Sequence, residues 1–536
     1  MTHIAEDMSA GSAETKPRSL NLSRLARNSA SNVIRTGLTS LVAIALPVIL
    51  THHLSVKVYG AWVLVLQLGA YVGYLNLGIQ TALSKYVAEY QTRRDDAGCA
   101  SSVSAGLRLM IGAGVLGIIL TCVLVVMIPQ LFSGITPDLL REVRISVLLV
   151  GCSLSVGLCT SVFSAIFLGL QRYHIPMVIA VGSRLAYGVA VCAAVLLHRG
   201  LITMAVAAAA ANILTSLAEV IAWRRYAGFI HVSLWSVDPA MLRKVAGYCA
   251  VLAVWSGCML LIVGLDVTIV GHYAFNEVAF YSIAGSPTNL ILMLIGALTG
   301  PLLPATSAIS ITSSPRRMGD ILLMSTRYSV IVLLTTGLPV MVGGFMLLRL
   351  WVGPYYAVKT VLFLHVLLLA NIVRNYLAPY ATMVVATSRQ HVATIAALSE
   401  GFVNVLLSIL LARHLGAIGV ALGTLIGAVV GVAMHFAVSM HYTQASFSLS
   451  RTKLFVRGIL IPSAMALPSV LLIPCWWSAH PATVSPLIWV GWFIATAALA
   501  WFVSLSQEDR KLIGELPKRG RLTLHSAESG AGSVGI

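Results

Sequence analysis

Apolar stretches of about twenty residues recur along almost the whole chain, from the thirties to just past residue 500. A helix of that length rises about 1.5 Å per residue and crosses roughly 30 Å of hydrocarbon. Only 10% of the residues are charged and 58% are hydrophobic, with a mean hydropathy of +0.90. The sequence therefore predicts an all-α polytopic membrane protein, and the lack of ten-residue alternating segments argues against barrel strands.

About fourteen of these stretches can be distinguished, each with boundaries that are soft by several residues. The predicted spans are 33–53, 59–82, 104–131, 145–168, 176–197, 201–223, 246–272, 278–302, 321–350, 357–384, 390–412, 417–441, 456–475 and 486–506. A cleaved signal peptide is not expected, because the first apolar run is too long and follows some thirty mostly polar residues.

The net charge of +17 predicts topology rather than nucleic-acid binding. If the amino terminus is cytoplasmic, about 23 of the 35 Lys and Arg residues fall on the cytoplasmic side, as the positive-inside rule requires. The clusters on that side include Lys85/Arg93/Arg94, Arg224/Arg225, Arg243/Lys244, Arg316/Arg317 and Arg451/Lys453/Arg457. Both termini are therefore predicted to be cytoplasmic, and no nucleic-acid partner is expected.

The sequence contains none of the motifs that would indicate an enzyme or a metal protein. The eight cysteines are scattered, mainly within apolar spans, and lack the spacing of a metal site. No Walker loop, HExxH, GxSxG or paired CxxC motif occurs. We therefore predict no catalytic residue, no metal site and no cofactor.

Charged residues within the predicted spans favour transport. A charge at the centre of a span costs about 2.5–3.5 kcal/mol, so it usually faces a partner, a bundle interior or water. The ionisable residues in or at the ends of spans are Arg35, Arg108, Arg184, Arg327, Arg374, Glu219, Asp266 and Glu400. Arg108, Arg184 and Arg327 lie near predicted cytoplasmic ends, where snorkelling to the headgroups is the preferred interpretation.

Polar residues at helical spacing give several spans one polar face. These faces comprise Asn371, Arg374, Asn375 and Ala378; Glu400, Asn404 and Ser408; Gln67, Tyr71, Tyr74 and Gly78; and Arg24, Asn28, Ser31 or Asn32, Arg35 and Thr39. Such faces are accommodated in lipid where they converge on one another or on a wet cavity. Glu400 fits either a cavity or an ion pair with an arginine of the next helix. Asp266, close to the outer end of its span, fits a gate or a cap.

A cavity that holds more arginine than carboxylate prefers an anion. Guanidinium groups match phosphate oxygens, with which they form paired hydrogen bonds. A phosphorylated lipid is the natural candidate, because an opening between the helices of a membrane protein faces lipid. Charge alone does not distinguish that lipid from a soluble organic anion.

Several segments resemble a known family. They are HHLSVKVYGAWVLV at the start of 52–96, LDVTIVGHYAF at the start of 265–309, LWVGPYY at 350–356, ATSRQHVATIA at the start of 386–427 and SQEDRKLIGEL at 506–516. In this order they resemble the polysaccharide flippases of the multidrug/oligosaccharidyl-lipid/polysaccharide exporter superfamily. The resemblance extends over about residues 20–516.

The resemblance implies two pseudo-symmetric lobes and a C-terminal helix pair. The expected parts are a disordered cytoplasmic tail (1–20), an N-lobe with helices 1–6 (21–223), a cytoplasmic linker (224–245), a C-lobe with helices 7–12 (246–443), helices 13–14 (444–506) and a cytoplasmic tail (507–536). A weak echo between KVYGAWVLV at 57–65 and EVAFYSIAG at 277–285 agrees with tandem halves.

The resemblance further implies a flippase of the bacterial inner membrane. Such a protein would carry an undecaprenyl-diphosphate-linked oligosaccharide to the outer leaflet by alternating access, for O-antigen, capsule or exopolysaccharide. The expected contacts are Arg35 and Arg374 for the diphosphate, Arg24 and Lys85 for cytoplasmic access, and Tyr71, Tyr74, Asn371 and Asn375 for the sugars. Asp266 and Glu400 are the candidate ion-coupling residues and Pro379 a candidate hinge, although membrane potential alone could drive an anion outward.

Two other functions remain open at this stage. A cation-coupled multidrug antiporter of the same superfamily would favour acids over arginines in the N-lobe cavity. A membrane-embedded polymerase or ligase would usually carry a large external loop, and the sequence has no predicted outside loop longer than about fifteen residues. The expected partners of a flippase are membrane lipids and the polymerase or export machinery of polysaccharide synthesis.

Overall fold

The computed structural model of the chain describes residues 42–233, 237–299, 302, 306, 314–387, 389–471, 486–505 and 510. All regular structure in these residues is helical. Because lipid offers no hydrogen-bond partners, an isolated spanning segment satisfies its own N–H and C=O groups only as a helix. The predicted all-α fold class is therefore confirmed.

The helices of the amino-terminal half fall on the predicted spans, although α4 and α5 begin before theirs. They are α1 (Val42–His53), α2 (Val56–Tyr74), α3 (Ile79–Thr92), α4 (Asp96–Leu131), α5 (Pro137–Gly169), α6 (His174–Leu196) and α7 (Gly200–Tyr226). Several of them begin where the sequence supplies a cap. The side chain of Asp95 accepts a hydrogen bond from the amide of Gly98 at 2.8 Å, and α5 begins with Pro137, which has no amide hydrogen to leave unpaired.

The remaining helices run from the linker towards the carboxyl terminus. They are α8 (Pro239–Met259), α9 (Asp266–Tyr273), α10 (Val278–Thr299), α11 (Pro315–Val342), α12 (Gly344–Val352), α13 (Pro354–Asn375), α14 (Ala378–Ala386), α15 (Gln390–Leu415), α16 (Ala417–Met434), α17 (Met440–Phe447), α18 (Arg451–Val470) and α19 (Pro486–Leu499). Within the predicted linker 224–245, residues 227–238 lie between α7 and α8.

Eleven helical stretches in the described residues are long and apolar enough to cross a membrane. The other three predicted spans coincide with α1, α10 and α19, which are shorter or border residues outside the description. The chain is thus a multi-pass membrane protein, as the composition predicts. The described residues do not establish the count of fourteen.

The second predicted span, 59–82, is broken into α2 and α3 rather than continuous. The backbone turns at Leu77 (φ 50°) and Gly78 (φ 70°), a region that glycine adopts more easily than other residues. A Cβ atom on Gly78 would lie 2.5 Å from the side chain of Leu252 in α8. Glycine therefore allows both the break and the close approach of α8.

The seventh predicted span, 246–272, begins earlier than expected and is also interrupted. The carboxylate of Asp238 accepts hydrogen bonds from the amides of Ala240 and Met241, at 3.0 and 3.3 Å, so the helix begins before its apolar run. Between α8 and α9 the chain forms a π-helical turn at Leu260–Gly264. The whole stretch Pro239–Tyr273 is called helix 7 and is distinct from α7. Side chains of neighbouring helices bind the carbonyl groups of this turn, which compensates for the altered helical hydrogen bonds.

The same order of helix neighbours occurs twice along the chain. In the amino-terminal half α5 packs against α2, α4 and α7, and α6 packs against α7. In the carboxyl-terminal half α13 packs against α10, α12 and α16, and α15 packs against α16. This recurrence supports the two-lobed arrangement, whose boundaries remain a prediction.

The two ends of the helix bundle differ in how the halves meet. One end carries the turns 54–55, 132–136, 197–199 and 274–277, and we call it the joined end. There a single buried core takes residues from both halves, such as Leu68, Val147, Ala205, Ile283 and Leu364. The halves therefore form one packed body at this end.

The opposite end, which carries the turns 93–95, 170–173 and 448–450, is called the split end. There the buried residues form two separate cores. One contains Leu83, Phe163 and Val245 and belongs to the amino-terminal half with the start of α8. The other contains Leu368 and Tyr380 and belongs to the carboxyl-terminal half. The halves are thus packed independently at this end.

Candidate functional site

Two of the predicted contacts, Arg24 and Arg35, lie outside the described residues. The other predicted site residues fall into three groups in the structure. One group lies within the carboxyl-terminal half, one between the halves near the joined end, and one at the split end. Their surroundings define what each group can do chemically.

Arg374 and Glu400 form an ion pair between α13 and α15. The Nε of Arg374 donates to Oε1 of Glu400, and Nη1 lies 3.4 Å from Oδ1 of Asn371. The side chains are 16% and 9% exposed, and the remaining nitrogen, Nη2, is buried without a hydrogen-bond partner. Of the two alternatives for Glu400, the structure therefore contains the ion pair with a neighbouring arginine.

The glycine opposite Glu400 makes this burial sterically feasible. A Cβ atom on Gly431 of α16 would lie 2.6 Å from Oε2 of Glu400. Any side chain there would force the carboxylate to move. The pair thus ties α13 to α15 beside α16, within one half of the protein.

The predicted sugar contacts Asn371 and Asn375 are half-buried on the same face of α13 as Arg374. Each uses its amide nitrogen within the helix, since Asn371 donates to the carbonyl of Leu367 and Asn375 to the carbonyl of Asn371, both at 2.8 Å. Pro379 is buried and lies in the first turn of α14, directly after the break that ends α13. It therefore starts a helix rather than kinking one.

Asp266 is 6% exposed and lies where four helices meet. Its Oδ2 accepts hydrogen bonds from Thr424 of α16 at 3.1 Å and from Tyr281 of α10 at 3.4 Å. Its Oδ1 accepts from the amide of Asn404 in α15 at 3.3 Å. Its hydrogen-bond donors are thus neutral, an arrangement that can hold either a charge or a proton, while the positive charge of Arg374 also acts on it. It is not a solvent-facing cap.

Asn404 also links this carboxylate to the π-helical turn. Its amide nitrogen lies 3.2 Å from the carbonyl of Leu261 and 2.8 Å from that of Ile262. Ser408, one turn further along α15, donates to Oδ1 of Asn404 at 3.1 Å. The polar face predicted for the eleventh span is therefore bound to helix 7 and does not line open space.

Tyr71 and Tyr74, predicted to face sugars, lie where α2 meets the second part of helix 7. The hydroxyl of Tyr71 is hydrogen-bonded to that of Thr268, and Gln67 donates to the carbonyl of Gly264 at 2.6 Å. The hydroxyl of Tyr74 lies beside Gly264, where a Cβ atom would approach it to 2.7 Å. The polar face of α2 therefore joins the two halves.

Two further contacts between the halves were not predicted. The indole nitrogen of Trp351 donates to the carbonyl of Ile44 at 2.8 Å, and Nδ1 of His272 donates to the carbonyl of Leu131 at 2.5 Å. Both partners are backbone carbonyls, so no side-chain pattern in the sequence could have revealed them. Both contacts lie at the joined end.

Lys85, predicted on the cytoplasmic access route, lies at the split end among aromatic rings. Its Nζ is 4.9 Å from the ring centroid of Tyr248 and 5.8 Å from that of Tyr86. Lys244 of α8 lies 4.9 Å from the same Tyr86 ring. The sequence identified the lysines as members of basic clusters but did not identify the tyrosines. The available signal was the four-residue spacing between Tyr86 and Tyr90 and between Lys244 and Tyr248.

The other intramembrane charges occupy varied environments. Arg108 and Arg184 are exposed, in agreement with snorkelling, and Arg184 lies 5.2 Å from the ring of Tyr187. Glu219 is half-buried and accepts a hydrogen bond from Ser164 at 2.6 Å within the amino-terminal half. The residues described by the structure contain no cluster of three or more His, Cys, Asp or Glu that could hold a metal ion.

Solved structures with the same fold are membrane transporters. A lipid II flippase MurJ in an inward closed conformation is 15% identical, with a TM-score of 0.64, over 91% of this chain and 99% of that one. An inward-facing multidrug resistance MATE family transporter of the MOP superfamily is 15% identical, with a TM-score of 0.60, over 74% and 96%. An outward-facing one is 16% identical, with a TM-score of 0.56, over 79% and 96%. At these identities the likeness establishes the fold alone.

Sequence comparison gives a family but no individual relative. A search of curated proteins found no match. The profile of a family described as polysaccharide biosynthesis protein matches residues 25–310, which is more than half of the chain. The match begins before α1, continues through the amino-terminal half and reaches past α10. The chain therefore belongs to the polysaccharide biosynthesis protein family.

Proposed function

We propose that this protein is a flippase that carries a lipid-diphosphate-linked oligosaccharide repeat unit from the cytoplasmic to the outer leaflet of the bacterial inner membrane. The product would serve surface polysaccharide synthesis. The observation that carries the proposal is the difference between the two ends, one shared core against two separate cores, in a member of a polysaccharide biosynthesis family. Two bodies joined at one end can alternate access across a membrane.

The basic residues support an anionic substrate head. Lys85 and Lys244 are exposed at the split end, which the positive-inside rule assigns to the cytoplasm. Arg24 and Arg35 are proposed contacts on sequence grounds alone. Arg374 is proposed to offer its unpartnered Nη2 to the diphosphate, with Asn371 and Asn375 beside it on the same helix face.

Two tyrosines at the contact between the halves are the proposed sugar contacts. Tyr71 and Tyr74 are half-buried at the contact between the halves, so a sugar could reach them only once that contact loosens. We propose that they contact sugar during passage rather than in the state seen here. The lipid tail stays in the bilayer, because only the polar head needs shelter from hydrocarbon.

Ion coupling is a separate element of the proposal. Among the described residues of the carboxyl-terminal half the buried carboxylates are Asp266 and Glu400, and we propose Asp266 as the coupling residue because its hydrogen-bond donors are neutral. Glu400 is already paired with Arg374. Pro379 is proposed to mark the joint at which α13 and α14 change their angle.

Complementation tests the proposed function. Deletion of the gene should accumulate lipid-linked repeat units on the cytoplasmic leaflet, and the wild-type protein should clear them. Lys85→Gln, a substitution of an exposed residue, should clear them more slowly at equal expression. If the deletion strain accumulates none, a flippase function is excluded.

The alternative function is a cation-coupled multidrug antiporter. The fold shared with MATE transporters and the buried carboxylate of Asp266 favour it. Export of a cationic dye by the purified protein against a proton or sodium gradient would support this alternative. A flippase of anionic lipid should not export the dye.

A further inference from the structure

Two lysines and three tyrosines form a compact group at the split end. This lysine–tyrosine cluster consists of Lys85, Tyr86 and Tyr90 of α3 with Lys244 and Tyr248 of α8. The ammonium groups of Lys85 and Lys244 lie 5.8 and 4.9 Å from the centroid of one ring, that of Tyr86. The protein therefore presents two positive charges around one tyrosine ring.

The rings of the cluster are fixed by packing. Tyr86 is 5% exposed and belongs to the amino-terminal core at the split end, together with Val245 of α8. The rings of Tyr86 and Tyr248 meet edge to face, with centroids 6.2 Å apart. A packed ring restricts the positions of the ammonium groups that contact it.

The two lysines differ in what restrains them. Lys244 donates a hydrogen bond to the hydroxyl of Tyr90 at 3.2 Å and lies 5.3 Å from that ring. Lys85 contacts ring faces only. Both side chains are exposed, so a ligand can reach each charge without disturbing the core.

The neighbouring acid is ion-paired with a residue outside the cluster, although its charge also acts on Lys244. Glu89, one turn from Lys85, forms its ion pair with Arg93 at 2.9 Å. In the described part of the chain neither Lys85 nor Lys244 has a carboxylate within ion-pair distance. The two charges are therefore available to an external anion.

We propose that the lysine–tyrosine cluster is the first docking subsite for the diphosphate of a prenyl-linked substrate. The inference rests on the proposed function and adds a location and a binding chemistry to it. An ammonium group is a compact charge that suits phosphate oxygens, and two of them match the two phosphates of a diphosphate. The tyrosine rings position the ammonium groups and do not themselves bind the phosphates.

The location explains why docking would matter for transport. Lys85 lies on α3, within the amino-terminal half, whereas Lys244 lies on α8, the first part of helix 7. The second part of helix 7 is bound to the other half through Asn404 and Asp266. A diphosphate that bridges the two lysines would therefore contact the helix that connects the halves.

Isothermal titration calorimetry of the full-length protein in detergent, with geranyl diphosphate as the probe, tests the subsite. Lys85→Gln and Lys244→Gln should each weaken binding about ten-fold, equivalent to about 1.4 kcal/mol. Their effects should be non-additive in a double-mutant cycle, because both side chains contact one ligand. Tyr248→Leu should weaken binding about three-fold by releasing Lys85, and Tyr248→Phe should not.

Matched variants separate this effect from general loss of charge or of fold. Lys57 and Lys359 are exposed lysines at the joined end, so Lys57→Gln and Lys359→Gln should bind as the wild type does. Lys85→Arg keeps the charge and should retain most of the binding. Thermal unfolding of each variant identifies any that is misfolded, in which case the arginine variant supplies the comparison.

Three results would overturn the subsite. Unchanged binding in both glutamine variants would mean that the cluster only packs α8 against α3, while the proposed function would stand. Failure of the wild type to bind geranyl diphosphate would refute the subsite, while complementation would still decide the proposed function. Equal competition by phosphatidylglycerol in phosphatidylcholine nanodiscs would identify a general headgroup site instead.

Discussion

The joined end and the split end use different kinds of contact to hold the same two halves. At the joined end buried residues of both halves form one core, and hydrogen bonds cross between them. At the split end each half has its own core, and exposed basic side chains lie on the surface. Separation of the halves at the joined end therefore requires disruption of the shared core. At the split end the two halves share no such core, so their separation there disrupts none.

This difference separates contacts that stabilise the fold of each half from contacts that determine how the two halves are arranged. Contacts within one half, such as that between Arg374 and Glu400, keep each half rigid. Contacts between the halves, such as that between Tyr71 and Thr268, select the conformation. Substitutions that break a buried contact of the first kind should lower the free energy of unfolding, and substitutions of the second kind should shift the population of states.

The largest effect is expected from breaking the buried ion pair. Arg374→Ala leaves Glu400 buried without its cation, which should destabilise the protein by about 3–5 kcal/mol. Replacing both residues, Arg374→Met with Glu400→Leu, should recover most of that loss. The midpoint of thermal unfolding in detergent measures both.

Arg108→Ala is the matched control, because Arg108 is an exposed arginine in a spanning helix. Its free energy of unfolding should lie within about 0.5 kcal/mol of that of the wild type. If Arg374→Ala is as stable as Arg108→Ala, the ion pair does not hold the carboxyl-terminal half together.

The next effect concerns the attachment of α8 to the amino-terminal half. Gly78→Ala places a Cβ atom 2.5 Å from Leu252, at a backbone angle of φ 70° that alanine disfavours. We expect a loss of about 2 kcal/mol from this strain. Gly73→Ala, where no atom lies within 4 Å, should be neutral or slightly stabilising. Equal unfolding midpoints for the two variants would contradict the break between α2 and α3.

Loss of hydrogen bonds between the halves should change conformation more than stability. Gln67→Leu with Tyr71→Phe removes two such bonds, each of which contributes about 1 kcal/mol. The population that is open at the joined end should rise about ten-fold or more. Distances between spin labels at Lys57→Cys and Lys359→Cys, in a cysteine-free background, measure that population.

Ser183→Ala is the control for this pair of substitutions. It removes the hydrogen bond between Ser183 and Thr215, which lies within the amino-terminal half. The label distances should then match those of the wild type. A shift as large as that of the double variant would mean that the joined end is not a separate unit.

The smallest effect is expected at the surface of the split end. Arg93 and Glu89 pair at 2.9 Å, but the arginine side chain is 66% exposed. Arg93→Gln should therefore change stability by less than about 1 kcal/mol, because solvent screens such pairs. A larger loss in thermal unfolding would show that the surface of the split end contributes to holding α3.

Helix type and approximate position could be predicted because lipid imposes both. Long apolar runs leave few alternatives to a helix, so the predicted spans fall on the described helices. Interruptions were missed, because the break at Gly78 and the π-helical turn at Leu260–Gly264 depend on Leu252, Gln67 and Asn404 of other helices. A local pattern does not record such partners.

The site could be predicted only as faces of single helices. The spacing of Arg374 and of Glu400 predicted a polar face for each helix. It left open whether Glu400 faces a cavity or pairs with an arginine of the next helix, and the structure contains an ion pair with Arg374. The faces of Tyr71 and Asn404 are bound to helix 7 rather than open. Periodicity states which side of a helix is polar but not what lies opposite.

The π-helical turn in helix 7 sets the rotational phase of everything that follows it. Each residue of a helix advances the side-chain direction by about 100°. If the same residues of Leu260–Gly264 wound as an ordinary helix, Asp266 would turn by about that angle relative to α8. Its carboxylate would then face away from Asn404 and Thr424, although every amino acid of that network would still be present.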